Sequence, residues 1–397
     1  MNYQPQIILD GKPVEKITAF LFPNGGNNDP QTLIANAGKS FVGSYVLGMG
    51  FTFDDTNENA TSLARMNELI EKDSRNADHI FPYIGGEEVN STPTHTHHRY
   101  VINFGEMSED EARKWPDLMA IVESKVKPER DVQKRDALRI RWWQYAEKRP
   151  GLVRAIEQCD RVLVVARVGQ HGSFTFLPAG MVYSEQLVVV ANSSHASFMV
   201  LQSRSHEIWA RFFGSSMKDD LRYTPSDCFE TFPFPENWET DETLESIGKT
   251  YYEFRAALMV KNNQGLTDTY NRFHDPEETE PDILKLRELH SQMDRAVLNA
   301  YGWPDIDTTC EFRLDYEDEE DTSSKRKKPW RYRWPEATHD EVLARLLVLN
   351  QQRYDHEALM GKSKTTKGKP KKSPSKVPKN TKQLNLIQPA AEQLDFL

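Results

Sequence analysis

The sequence predicts an α+β fold that closes in a helical segment and a basic tail. Two β-branched apolar runs, RVLVVARV (161–168) and EQLVVVAN (185–192), read as central strands, and helically spaced apolar residues lie on both sides of them. Beyond Trp238 the pattern is helical, and beyond Met360 it is lysine-rich and apolar-poor. The expected organisation is a mixed sheet-and-helix domain over 1–236, a small all-α domain over 237–357 and a disordered basic tail over 358–397.

Taken in order, residues 5–22 alternate apolar and polar around the turn Asp10-Gly11-Lys12, which predicts a hairpin. FVGSYVLGMGFTF (41–53) reads as a second strand pair punctuated by glycine. Leu63, Met66, Leu69 and Ile70 give 59–72 a helical stripe. Ser108 followed by Glu111 is a capping box that opens a helix over 108–126. The strands at 161–168 and 185–192 bracket FTFLPAGMVYS, and 196–214 turns helical again. The proline-rich FPFPE (232–236) closes the first domain. Long helices are expected at 241–261, 281–301 and 338–358, with the charge-block loop DYEDEEDTSSKRKK (315–328) between the last two. The composition of 362–382 cannot offset the ordering entropy of a fold.

Charge is unevenly spread. The whole chain carries −10, but 362–382 holds nine lysines and no acid and 383–397 adds only Glu392 and Asp395, which leaves −17 on residues 1–361. An acidic body excludes unspecific nucleic-acid binding by the whole surface, so any DNA site must be a local basic patch. Cys159, Cys228 and Cys310 are far apart and form no CxxC pair, so neither a disulfide framework nor a structural zinc site is signalled. The N-terminal MNYQPQIILDGKPVEKI lacks a basic region followed by an apolar one, and no run of ~18 apolar residues occurs, so a soluble, cytoplasmic chain is expected.

Catalytic signatures are sparse. No Asn/Asp-Pro-Pro-aromatic loop exists, and Gly43, Gly48 and Gly50 lack the acid one strand later that would hold a ribose, so these glycines read as bends or turns rather than an S-adenosylmethionine site. Asp117 with Glu123 and Lys125 mimics a metal-nuclease pattern, but its parts sit six residues apart in one apparent helix instead of on adjacent strands. His95, His97 and His98 can each ligate a metal, yet no carboxylate or cysteine stands at a ligand spacing, and an exposed loop is the simpler reading. No nucleophile elbow or P-loop lysine is present.

The stretch 125–149 is more informative, with nine Lys/Arg against four acids, interleaved with Trp142, Trp143 and Tyr145. Such a cluster suits phosphate contacts, while the tryptophans fit equally a helix face turned to the core. Arg130, Lys134, Arg135, Arg139 and Arg141 are the expected backbone contacts. Arg167, at the end of the 161–168 strand, and Tyr223, beside Arg222, join them, although each arginine here fits an internal salt bridge as well.

The strings GKSFVGSYVLGMGF (38–51), SRNADHIFPYIGGEEVN (74–90), WWQYAEKRPGL (142–152), RVLVVARV (161–168), DLRYTPSDCFETFPFP (220–235) and LRELHSQMDRAVLNAYGW (286–303) resemble the C-terminal part of MmeI-like enzymes, and the likeness extends from about residue 5 to 357. These are type IIL restriction-modification proteins and their methyltransferase relatives, some from phage-defence islands. The resemblance implies a target recognition domain over 1–236 and a helical domain after it, with Met1 just past the place where an adenine-N6 methyltransferase would end. Base-reading positions carry over onto Lys218, Asp220 and Arg222, and onto 181–186 with Ser184 and Glu185 foremost. The implied function is sequence-specific recognition of double-stranded DNA for a catalytic domain absent from this chain. No cofactor is then bound here, and S-adenosylmethionine is implied for a separately encoded methyltransferase partner. The alternatives are an independent enzyme, either a metal-dependent nuclease or a deviant methyltransferase, or an inactive fragment of a split gene. The final Gln393-Leu394-Asp395-Phe396-Leu397 resembles a sliding-clamp-binding peptide.

Overall fold

Burial along the apolar runs fixes where the strands lie. Arg161–Ala166 is buried at every position but its first, and Leu187–Val190 throughout, the pattern of strands covered on both faces. In the computed structural model, which describes residues 7–9, 11–217, 220–314 and 330–361, these two strands pair antiparallel with Val188 opposite Val165. Ser40–Val42 and Thr175–Pro178 flank them to complete a four-stranded sheet. A second sheet has the order Val182–Tyr183, Ile80–Ile84, Arg99–Ile102, Thr52–Phe53. A third, small sheet joins Ser215–Met217, Asp220–Arg222 and Val168–Gly169. The α+β class expected from the sequence is what the structure has.

The hairpin near the N-terminus pairs Ile7–Leu9 with Lys12–Val14. The strand pair expected within 41–53 is corrected: Ser40–Val42 pairs with 188–190, and Thr52–Phe53 with 100–101 in the other sheet. Leu47 and Gly48, both at positive φ, and the 3-10 turn Met49–Phe51 redirect the chain between them. The single helix expected over 108–126 is two, Glu109–Ala112 and Pro116–Lys125, because Pro116 lacks an N–H and opens a new helix. The capping box is formed, with Glu111 N–H donating to Ser108 Oγ at 3.3 Å and Ser108 N–H to Glu111 Oε2 at 2.8 Å.

The helices Glu242–Asn262, Pro281–Ala300 and Glu336–Leu359 fall where the periodicity places them. The C-terminal segment is not all-α, however, since Glu311–Leu314 and Trp330–Arg333 pair as an antiparallel ribbon. The loop at 315–328 and the lysine-rich tail lie outside the described residues. No helix among the described residues is long and apolar enough to cross a membrane.

Among the described residues, two hydrophobic cores form. The smaller gathers Val46, Phe51, Phe53, Val101, Trp142, Trp143 and Tyr145 around the second sheet. The larger runs from Phe22 to Leu347 and crosses residue 236 without a break, because Glu242–Asn262 lies against His195–Gln202. Gly248 permits that approach: a Cβ there would stand 2.4 Å from the His195 carbonyl oxygen. Buried Arg204 and Asp294 form an ion pair between the two parts.

Candidate nucleic-acid interface

The two sheets meet at the turn Ser184-Glu185-Gln186. Val182–Tyr183 belongs to the second sheet and Leu187–Val190 to the first, so the three residues between them sit on the seam. Gly43 packs against this seam so closely that a Cβ would lie 2.1 Å from the Ser184 carbonyl oxygen. Ser184 is 3% exposed, and its hydroxyl accepts the Gln186 N–H at 3.2 Å. Ser184 is therefore corrected from base reader to turn-former, since its only side-chain oxygen faces inward.

Its neighbours face out. Glu185 is half-buried and Gln186 exposed. Gln186 Oε1 accepts the Gly86 N–H at 3.1 Å, which fixes the carboxamide so that its NH2 is the free group. Among the described residues, neither the Glu185 carboxylate nor that NH2 has a hydrogen-bond partner. Beneath them Tyr83 is pushed up to about 12 by burial and then by the Glu185 charge, so it stays a neutral phenol. Arg99 lies over the Tyr83 ring at 5.0 Å and is ion-paired to buried Glu88. Within 181–186 the resemblance ranks Ser184 ahead of Gln186, yet Gln186 is the outward group, since a resemblance does not reveal which side of a tight turn is open.

Arg167 ties this turn to the second predicted reading segment. Its N–H donates to the Gln186 carbonyl at 2.7 Å and its Nη1 to the Glu185 carbonyl at 3.4 Å, while its own carbonyl accepts the Tyr223 N–H at 2.9 Å. It is thus a half-buried clasp. In Asp220–Arg222, Leu221 is buried, so Asp220 and Arg222 project to the opposite face of the strand. Neither side chain has an ion-pair or hydrogen-bond partner among the described residues. Lys218 lies outside the described residues. Tyr223 is corrected: it is 1% exposed, and its hydroxyl is 2.9 Å from His206 Nε2, so it is a core residue and not a phosphate contact.

The basic stretch sits on the other side of the seam. Tyr45 and Glu147 exchange both backbone hydrogen bonds, and Ser44 N–H donates to the Tyr183 carbonyl. Arg130 is corrected as well. It is 1% exposed, and its Nη2 donates to the carbonyls of Val46, Leu47 and Gln144, so it anchors the segment from inside. Trp142, Trp143 and Tyr145 are core. Lys134, Arg135, Arg139 and Arg141 are exposed. Arg139 is held by Asp136 and the Gln133 carbonyl, Arg135 lies 3.5 Å from Glu147, and Lys134 and Arg141 are unpaired among the described residues.

The other chemistries do not assemble. Asp117 pairs with Lys72, Glu123 with Arg113 and Lys127, and Lys125 donates to the carbonyls of Asn59 and Ala60, so the nuclease-like trio does not converge. His95 Nδ1 meets the Val89 carbonyl at 2.8 Å and is pushed down to about 4 by burial. His97 packs on Tyr100 and His98 faces Glu88. Gly43 packs against the Ser184 and Tyr183 backbone and Gly50 against Lys125 and Val126.

Residues 28–236 match the model of the family described as MmeI, target recognition domain. DNA methyltransferase A of Bacillus subtilis (strain 168) is 26% identical over 152 residues, covering 36% of this chain and 16% of that protein. The solved structure of the type IIL restriction-modification enzyme MmeI in complex with DNA superposes with a TM-score of 0.56 at 17% identity, over 87% of this chain and 39% of that one. The chain thus spans well under half the length of either relative, and with the MmeI structure it shares the fold.

Proposed function

The chain belongs to the MmeI target recognition domain family, and from that premise we propose that it reads a short word in duplex DNA and presents an adenine within it to an adenine-N6 methyltransferase carried on a separate polypeptide. One observation carries the reading. The outward groups Glu185 and Gln186 on one turn, and Asp220 and Arg222 on another element, are joined through the backbone and guanidinium of Arg167. Carboxylates accept from cytosine N4, and arginine donates to guanine O6 and N7, each bidentate contact being worth roughly 1–3 kcal/mol of discrimination. Lys218 is proposed as a further donor on the sequence pattern alone.

Lys134, Arg135, Arg139 and Arg141 supply the phosphate contacts that set register without carrying sequence information. Base flipping and the methyl donor S-adenosylmethionine belong to the catalytic polypeptide. The helical segment braces the recognition domain, with which it shares one core. The C-terminal peptide Gln393–Leu397, outside the described residues, is proposed as a minor sliding-clamp contact, which a peptide of residues 388–397 tests directly.

The experiment is S-adenosylmethionine-dependent adenine methylation of duplex DNA, comparing recombinant chain with chain affinity-purified from its native host. Activity confined to the host preparation supports a recognition subunit with a catalytic partner. Activity of the recombinant chain alone contradicts it.

A further inference from the structure

The strand Ile80–Ile84, whose last residue lies opposite Tyr183, runs into the helix Gly86–Ser91 through Gly85. The first N–H groups of a helix have no carbonyl within it to accept them. Here two side chains take them up. Glu88 accepts the Gly85 N–H at 3.0 Å, and Gln186, one hundred residues further along the chain, accepts the Gly86 N–H with Oε1 at 3.1 Å. Gly85 makes the approach possible, since a Cβ there would stand 2.9 Å from Gln186 Oε1.

This bond decides what Gln186 can read. A backbone N–H only donates, so the carboxamide cannot turn over without losing its partner. The oxygen faces the helix, and the NH2 of this exposed residue has no partner among the described residues. An unrestrained glutamine reads adenine with both ends of its carboxamide, accepting from N6 and donating to N7. With the oxygen taken, two N–H donors remain. They match the base edge that sets two acceptors side by side, N7 and O6 of guanine. Charge favours a base here over a phosphate. Glu185 precedes Gln186 and exposed Glu87 follows Gly86, and their carboxylates repel a phosphate, whereas a base edge carries no net charge.

We propose that Gln186 is a guanine reader, its carboxamide held by Gly86 so that only the NH2 meets the major groove, where it donates to N7 and O6. This rests on the DNA-reading function proposed above and goes past it by naming the base. A role confined to capping the helix uses the oxygen alone. The two roles therefore come apart when the nitrogen is exchanged for oxygen at constant shape.

The test is selection of sites from a random duplex pool by the full chain, by Gln186→Ala and by Gln186→Glu. One position of the parent's word should relax in Gln186→Ala, its preference falling about 10-fold, and that position should hold guanine. Gln186→Glu keeps an oxygen for Gly86 and sets a second oxygen where the NH2 stood. Guanine should then be rejected at that position, and a base that offers a donor, cytosine or adenine, selected in its place. The melting temperature of Gln186→Glu should stay at or above that of the parent, because a carboxylate suits a helix N-terminus. A further arm needs no variant. In the duplex the parent selects, 7-deazaguanine at that position should weaken binding about 5-fold through loss of the N7 acceptor. Inosine, which keeps N7 and O6 and lacks only the minor-groove amino group, should bind as guanine does. The same word selected by the parent and by Gln186→Glu overturns the inference, as does a relaxed position that is not guanine, a loss with inosine or full binding with 7-deazaguanine. A parent chain that selects no word overturns the underlying function instead.

Discussion

At the scale of single residues, exposure separates the groups proposed to read DNA from the groups that hold the fold. Arg222 projects from a strand whose next residue inward, Leu221, is buried, and its guanidinium has no partner among the described residues. Arg222→Ala should therefore leave stability within about 0.5 kcal/mol and relax discrimination at one base position by roughly 1–3 kcal/mol, read by competition among single-base variants of the selected word. Arg130 predicts the reverse. Its removal strands the carbonyls of Val46, Leu47 and Gln144, so Arg130→Ala should lower the melting temperature, each buried acceptor left unpaired costing about 1–3 kcal/mol. Sequence alone makes Arg130 a phosphate contact, because a cation in a basic run carries no mark of the carbonyls the fold brings to it. Tyr223 and Ser184 depart from expectation for the same reason: their partners, His206 in one case and the 184–186 turn with its Gly43 neighbour in the other, are set by tertiary packing.

At the scale of elements, periodicity was a good guide where one face is buried and a poor one where the chain turns. The two β-branched runs and the three long helices lie where the apolar spacing puts them. What spacing does not carry is which strands pair: 40–42 and 52–53 look like a hairpin and join different sheets. The seam that results depends on Gly43. Gly43→Ala would drive a Cβ into the Ser184 carbonyl, so this variant is expected to lose several degrees of melting temperature and, with the 184–186 turn displaced, much of its sequence discrimination. Full stability with intact discrimination in Gly43→Ala would show that the seam does not position the readers.

At the scale of the whole molecule, the helical segment is part of the recognition domain's core. Asp294 and Arg204 are both buried in their pair, so Asp294→Ala leaves a guanidinium uncompensated and should cost about 3–5 kcal/mol, loosening the first part of the chain together with the second. Partial proteolysis that released an intact 1–236 fragment from this variant would contradict the shared core. The same interior makes stability depend on pH. Burial pushes His171 and His206 down to about 3 and holds His274 and His290 well below the ordinary value of 6.5. The unfolded chain then binds more protons than the folded one below that value, so the contribution is complete above about pH 6.5 and is lost as pH falls toward 3. A melting temperature that rose from pH 7.5 to about pH 5 would run against this sign. The most direct test of DNA reading by the junction around Arg167 is selection of binding sites from a random duplex pool by the full chain and by Arg222→Ala. The account predicts one enriched word for the parent and the same word with a single relaxed position for the variant; no enriched word, or an identical word in both, would contradict it.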